Sequence, residues 1–249
     1  MFSESHCHID ANSVEAIRRA EEKGVKLILA AGIDVESSVE AVRAAKKFPT
    51  VKACVGIHPW NADLYSEETV RRIGDLAKSS EVVAISEIGL DYVGRRDSEG
   101  KFVNEYIDKD IQRKLFQEQL RLAKKLKLPT LVHDRTPDDE VLDIIEVIES
   151  SKVGVAIHGF SKDMNYARRC IDSGIFLSIG QRTLFDPNNK AFREIVAKIP
   201  LESILSETDS GEPEGVIKVV EKVAELKNLD REYVGEVTTN NLRRLLKIN

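Results

Sequence analysis

The sequence predicts an α/β fold, a (β/α)8 TIM barrel forming a single domain over residues 1–249. Three observations predict it. Short apolar runs alternate with amphipathic stretches from one end to the other, as buried parallel strands alternate with covering helices. Eight such repeats within 249 residues match the size of a closed barrel. The competing arrangement, an open doubly wound sheet, calls for a Gly-rich dinucleotide turn after the first strand, and none follows it.

The elements follow in order. The first strand, 2–9, is short, polar and histidine-rich. Ser13 is a capping residue for a helix over 14–22. Strand 26–31 (KLILAA) leads to a helix over 36–47 that ends before Phe48-Pro49. Strand 51–57 (VKACVGI) precedes a helix over 67–78, which follows Ser66. Strand 82–90 (VVAISEIGL) runs into the one long irregular piece, 91–104. Its Gly, Asp and Ser content reads as a loop, which in a barrel overhangs the C-terminal face. The helix over 110–126 brings Leu115, Gln119, Leu122 and Leu126 near one face. Strand 128–132 is followed by a helix over 138–149, introduced by Thr136-Pro137. Strand 153–157 precedes a helix over 162–172, after Ser161. Strand 175–179 precedes 190–199, and strand 203–206 precedes 214–226 and 231–246.

Composition excludes several classes. The 42% hydrophobic content is too high for a disordered chain. No apolar run approaches the ~18–20 residues of a membrane span. The stretch MFSESHCH lacks the basic and apolar regions of a signal peptide. Cys7, Cys54 and Cys170 are too scattered for a disulfide framework, so a soluble, cytoplasmic protein with free thiols is expected. A net charge of −5 argues against broad coating of nucleic acid. It leaves room for a nucleic-acid enzyme, because metal ions and a local basic patch can hold a phosphate chain.

All five histidines, His6, His8, His58, His133 and His158, fall at the C-terminal end of a predicted strand. In a barrel those ends converge on one face. His6 and His8 share a strand face by its two-residue period, and Cys7 points away toward the helices. Side-by-side imidazoles favour a metal, although a hydrogen-bonded pair is the alternative. Glu87, Gly89 and Asp91 share a face of the fourth strand. A carboxylate there needs a metal or a buried cation as partner, and Lys52 is the only cation near the strand ends. Asp209 ends the eighth strand, placed to touch a metal and its water or to cap the next helix. Glu207 sits one layer deeper. His58 is assigned to substrate contact or to orienting another group. Arg135 is either a phosphate clamp or a solvated loop charge.

The inner set is therefore His6, His8, Glu87, His133, His158 and Asp209, enough for two divalent metal ions with Glu87 as the bridge. Asp209 would align a water and take its proton, with Glu87 as its catalytic partner, and the reaction class is metal-assisted hydrolysis. Spacing leaves open whether a phosphodiester, a phosphotriester or an amide is cleaved.

These residues resemble the TatD family of metal-dependent hydrolases, within the amidohydrolase superfamily. The matching segments are 5–10 (SHCHID), 56–59 (GIHP), 86–91 (SEIGLD), Leu128-Pro129 with 133–135 (HDR), 158–161 (HGFS), 207–210 (ETDS) and 240–242 (NNL). The resemblance implies a TIM barrel with divalent metals on the six residues above. It also implies deoxyribonuclease activity, often 3′ to 5′ on single-stranded or frayed DNA ends. It favours Mg²⁺ or Mn²⁺, whereas four histidines favour Zn²⁺ or Mn²⁺. Substrate contacts are expected from His58, Asp91, Arg135 and Phe160.

The sequence also departs from the family. Glu4 stands where the family usually has Asp, and Gly211 where it usually has Pro. The usual long Pro-, Arg- and Asn-rich loop is reduced to the acidic 211–215 (GEPEG), which repels phosphates. Arg95, Arg96 and Lys101 after the fourth strand are candidates to compensate. The alternative function is a small-molecule phosphoester, lactone or amide hydrolase on the same two-metal site. The feature that separates the two is the basic and aromatic lining of the mouth, where Trp60 and Tyr92 offer stacking surfaces near Arg135 and Lys162. A scaffold that binds a partner without turnover gives no reason for so open a charged site.

Overall fold

A computed structural model of the chain describes residues 1–94 and 107–248, so Arg95, Arg96 and Lys101 lie outside the described residues. The described residues form eight parallel strands paired in sequence order: β1 (Phe2–Cys7), β2 (Val25–Ala31), β3 (Val51–Val55), β4 (Val82–Asp91), β5 (Thr130–Arg135), β6 (Val155–His158), β7 (Phe176–Gly180) and β8 (Ile204–Glu207). The helices between them are α1 (Val14–Glu22), α2 (Val35–Lys47), α3 (Glu67–Leu76), α4 (Lys109–Leu126), α5 (Glu140–Ile148), α6 (Met164–Asp172), α7 (Gln181–Leu184), α8 (Lys190–Lys198), α9 (Val216–Lys227) and α10 (Arg231–Leu246). This is the expected TIM barrel.

The seam between β1 and β8 is closed differently from the rest. Backbone bonds run only at its upper end, from Asp209 N to His6 O at 3.0 Å and from His8 N to Ser210 O at 2.9 Å. Below them side chains take over. Glu4 Oε1 accepts from Thr208 N at 3.0 Å, and Ser5 Oγ donates to Ser206 O at 3.0 Å. Glu4 is fully buried, and burial holds its carboxyl well above the usual carboxylate range.

Among the described residues two apolar clusters form the core. One joins the outer faces of the strands to the helices and includes Cys7 beside Ile17 and Ala20 of α1, as the strand period predicted. The other fills the barrel floor with Leu29, Leu131 and Leu205, together with Leu242, Leu245 and Leu246 of α10. Asn241 pins α10 there by donating to Leu201 O and Ile204 O, both at 2.8 Å. The 240–242 motif thus serves the floor, away from the histidines.

Several local readings are corrected. Ser13 does not cap α1: its hydroxyl donates to Asp10 Oδ1 at 2.9 Å instead. The sixth helix is capped by Asp163, whose carboxylate accepts from Asn165 N and Tyr166 N, rather than by Ser161. The fifth helix starts at Glu140, because Asp134 and Thr136 first form a turn held by the Thr136 N–H at 2.9 Å. The four-residue α7 was not expected, being shorter than a detectable helical period. Among the described residues no helix is long and apolar enough to cross a membrane.

Candidate metal centre

The carboxylate of Glu87 stands at the centre of the C-terminal face, on a strand buried along its whole length. Its two oxygens face different strands. Oε2 lies 3.2 Å from His6 Nε2 and 3.8 Å from His8 Nε2 on the β1 side. Oε1 lies 2.9 Å from both His133 Nδ1 and His158 Nε2, and 3.2 Å from His58 Nε2. Asp209 Oδ1 completes the β1 side, 3.2 Å from His8 Nε2 and 3.8 Å from His6 Nε2. No lysine or arginine pairs with Glu87 among the described residues; Lys52 pairs instead with Glu81 at 3.5 Å.

The outward ring nitrogens are fixed by protein acceptors, which sets the direction of the inward ones. His8 Nδ1 donates to Ala31 O at 3.2 Å, His133 Nε2 to Asp91 Oδ2 at 3.0 Å and His158 Nδ1 to Glu207 Oε1 at 3.1 Å. A carbonyl or carboxylate only accepts, so each ring in its neutral form turns its lone pair into the centre. His6 stacks on His158 with 3.8 Å between centroids. Both nitrogens of His6 are buried without a hydrogen-bond partner, since Glu87 Oε2 is near Nε2 but out of line.

Two glycines make this packing possible. Gly89 has φ +145°, and a Cβ there would sit 1.9 Å from His133 O. Gly159 has φ +53°, and a Cβ there would meet Arg135 Nη2 at 2.8 Å. Asp209 itself is left-handed at φ 54°, a conformation Asp tolerates better than most residues.

The electrostatics follow from burial and crowding. Burial works to raise Glu87, yet His58, His158 and His6 together hold its carboxyl well below the usual range. Asp209 behaves likewise, its burial outweighed by the His8 hydrogen bond and the charges of His158 and His6. Burial pushes His6 down, helped by His158, and pushes His58 down to about 4. Burial also opposes the charge on His158, but Glu207 and Glu87 raise it well above the usual histidine value.

A cation fits this donor set. Ligand atoms of His6, His8 and Glu87, of His6, His158 and Asp209, and of Glu87, His133 and His158 each lie within 4.8 Å of one another. Without one, the unpartnered nitrogens of His6 and the crowded carboxylates are costly to bury. His58, Asp91 and His133 are equally close, but His58 and Asp91 are engaged elsewhere, and His133 meets Asp91 through its Nε2–H. Asp91 accepts from Trp60 Nε1 at 2.8 Å, from His133, and from the N–H groups of Val93 and Gly94, both at 2.9 Å. His58 Nδ1 accepts from Trp60 N at 3.0 Å, which leaves Nε2 as a donor toward Glu87.

The expected substrate contacts divide. Arg135 lines a cavity of about 510 Å³ with Tyr92, Lys109, Pro137 and Lys162. Its Nη1 is anchored on Asp134 O at 2.9 Å and Gly159 O at 3.1 Å. Asp91, expected at the substrate, is buried, and its carboxylate accepts from His133 and fixes that ring. Its shared strand face with Glu87 was the signal for that role. Phe160 is fully buried against Tyr166 and Phe192, so it cannot line the mouth. The acidic loop is less repulsive than its composition suggests, because Glu214 pairs with Arg19 Nε at 2.6 Å. Glu4 lies outside the centre, bonded to the backbone N–H of His6 at 3.0 Å.

A family model of TatD related DNases matches residues 4–247. The chain is 32% identical to the metal-dependent hydrolase YabD of Bacillus subtilis, over 100% of both chains. It is 26% identical to the 3′-5′ ssDNA/RNA exonuclease TatD of Salmonella typhimurium, covering 94% of this chain and 92% of that one. The crystal structure of the TatD homologue YJJV from Escherichia coli superposes with a TM-score of 0.86 at 26% identity, over 100% of this chain and 98% of that one.

Proposed function

Because the chain belongs to the family of TatD related DNases, which are metal-dependent hydrolases, we propose that it cleaves DNA phosphodiester bonds in single-stranded or frayed ends. Residues 1–249 act as one hydrolase domain in this reading. The observation that carries it is the division of Glu87, with one oxygen toward His6 and His8 and the other toward His133 and His158. That division suits two divalent cations, Mg²⁺, Mn²⁺ or Zn²⁺, on His6, His8, Glu87, His133, His158 and Asp209. When bound, such ions acidify a water and offset the charge that develops on a phosphoryl group.

The protein's own groups do the rest. Asp209, held ionised beside His8, takes a proton from the attacking water. The anchored guanidinium of Arg135 orients a substrate phosphate. His58, kept neutral by burial, presents an Nε2–H toward the centre. Buried, unpaired thiols at Cys7, Cys54 and Cys170 suit a reducing, cytoplasmic setting.

The test titrates metal-free protein with Mg²⁺, Mn²⁺ and Zn²⁺ against end-labelled single-stranded DNA, with a panel of small phosphoesters, lactones and amides alongside. The expected result is a metal-dependent shortening ladder that is lost in Asp209→Asn, while that variant keeps its fold and most of its metal. Turnover of a small ester without DNA cleavage would move the function to the small-molecule reading.

A further inference from the structure

The ladder between β5 and β6 ends where His133 pairs with His158. Arg135 stands beyond that end. Its Nη1 rests on carbonyls from two different strand ends, Asp134 O at 2.9 Å and Gly159 O at 3.1 Å. Its Nε and Nη2 donate to none of the described residues. Those two nitrogens make the forked edge that grips two oxygens of one phosphate. A guanidinium anchored this way points where its two carbonyls put it. Whatever holds the two segments together therefore aims the fork.

Lys162 spans that gap. It lies between Gly159 and the start of α6, and its side chain is only 16% exposed. The ammonium turns into the turn after β5 rather than into the cavity that Lys162 borders. It donates to Thr136 O, to Asp138 O at 2.9 Å and to Thr136 Oγ1 at 3.1 Å, and it lies 3.2 Å from Asp134 Oδ1. Asp134 is buried, and its Oδ2 accepts from Tyr166 OH at 2.6 Å. An ammonium has three hydrogens, and these acceptors use them all. Lys162 therefore has no donor left for a substrate. We propose that Lys162 is a positioning residue for Arg135: it ties the turn after β5 to the segment after β6 and so fixes the angle at which the guanidinium meets the substrate phosphate. The proposal rests on the role given to Arg135 in the nuclease reading and adds the group on which that role depends. Tyr166 is a second tie through the same carboxylate.

A double-variant cycle on metal-loaded protein separates this role from that of a free charge at the mouth. Lys162→Met is expected to raise KM for a DNA substrate roughly ten-fold, as loss of one charge-assisted contact does, with a smaller change in kcat. Arg135→Met raises KM as well. The double variant is expected to be no worse than Arg135→Met alone, because Lys162 acts through that guanidinium. Losses that add would make Lys162 an independent charge and overturn the proposal. An unchanged KM in folded Lys162→Met, or a loss confined to kcat, would overturn it too.

Arginine-selective nitrogen NMR of Mg²⁺-loaded protein makes the same test without a substrate. The Arg135 signals are assigned by their loss in Arg135→Met. Its two Nη groups are expected to be resolved in the parent, held apart by the bonds of Nη1, and to merge in Lys162→Met as the guanidinium turns freely. Signals that stay resolved overturn the proposal and leave the nuclease reading standing. Merged signals in a protein whose parent cleaves no DNA support the hold on Arg135 and overturn the nuclease reading alone. Should Lys162→Met fail to fold, Tyr166→Phe removes only a hydroxyl from the same carboxylate. It is expected to move KM and the Nη signals in the same direction, and movement of neither overturns the proposal.

Discussion

Replacing Glu207 by Gln should weaken metal binding by about thirty-fold without unfolding the barrel. Glu207 is fully buried on β8. Its Oε1 accepts from His158 Nδ1 at 3.1 Å and from Gly159 N at 2.7 Å, while Oε2 has no hydrogen-bond partner. Gln keeps the volume and leaves a carbonyl oxygen for both donors. It removes the negative charge and places an NH₂ where nothing accepts. A hydrogen bond to a charged group contributes about 1.5–3 kcal/mol and a neutral one about 0.5–1.5. Two weakened bonds therefore cost about 2 kcal/mol, and a ten-fold change in affinity is about 1.4 kcal/mol. The loss falls on the cation held by His158, because Glu207 fixes that ring. Proton competition works the other way: Glu207 helps to raise His158, so its removal makes the ring easier to deprotonate. The full loss is accordingly seen at alkaline pH, where protons no longer compete. Calorimetric titration of metal-free protein, with circular dichroism as the fold control, measures it. An unchanged affinity in a folded variant would refute the claim that Glu207 holds His158 for the metal.

Two further outcomes are expected. Gly89→Ala should cost more than about 4 kcal/mol, because a Cβ at φ +145° would lie 1.9 Å from His133 O; a melting temperature within a few degrees of the parent would refute this. In metal-free protein His58 should make stability depend on acid pH. Burial lowers the ring from 6.5 to about 4 against the opposing pull of Glu87, so the unfolded chain takes up this proton first as pH falls. Stability tied to the neutral ring is full above pH 6.5 and is lost as pH falls through about 4, by about 3 kcal/mol in all. Urea unfolding of His58→Gln should flatten that part of the pH profile, and an unchanged slope would contradict it.

The strands were legible because a buried parallel strand is itself a short apolar run; the predicted 82–90 and the observed Val82–Asp91 differ by one residue. The convergence of His6, Glu87, His133, His158 and Asp209 was legible for a related reason. Strand period fixes which side chains point inward, and barrel closure brings those ends together. What pairs across strands was not legible. That Asp91 belongs to His133 depends on the register that sets Gly89 against His133, which no single segment encodes. Phe160 follows a histidine at the mouth, and its burial against Tyr166 and Phe192 depends on how α6 and α8 lie over the strands. Which side chain serves a helix start was not legible either: Ser13 gives its hydroxyl to Asp10, although α1 begins at Val14 as expected.

The seam between β1 and β8 has a consequence for how the protein comes into being. His8 and Asp209 lie 201 positions apart in the chain, yet they meet across the one junction whose lower part depends on side chains. A growing chain presents His6 and His8 long before the eighth strand supplies Asp209. Until then the β1 side lacks its carboxylate and the barrel has an open edge. If Asp209 handles the water proton as proposed, competence for hydrolysis waits for the eighth strand, and a chain broken off before β8 carries the histidines without that carboxylate.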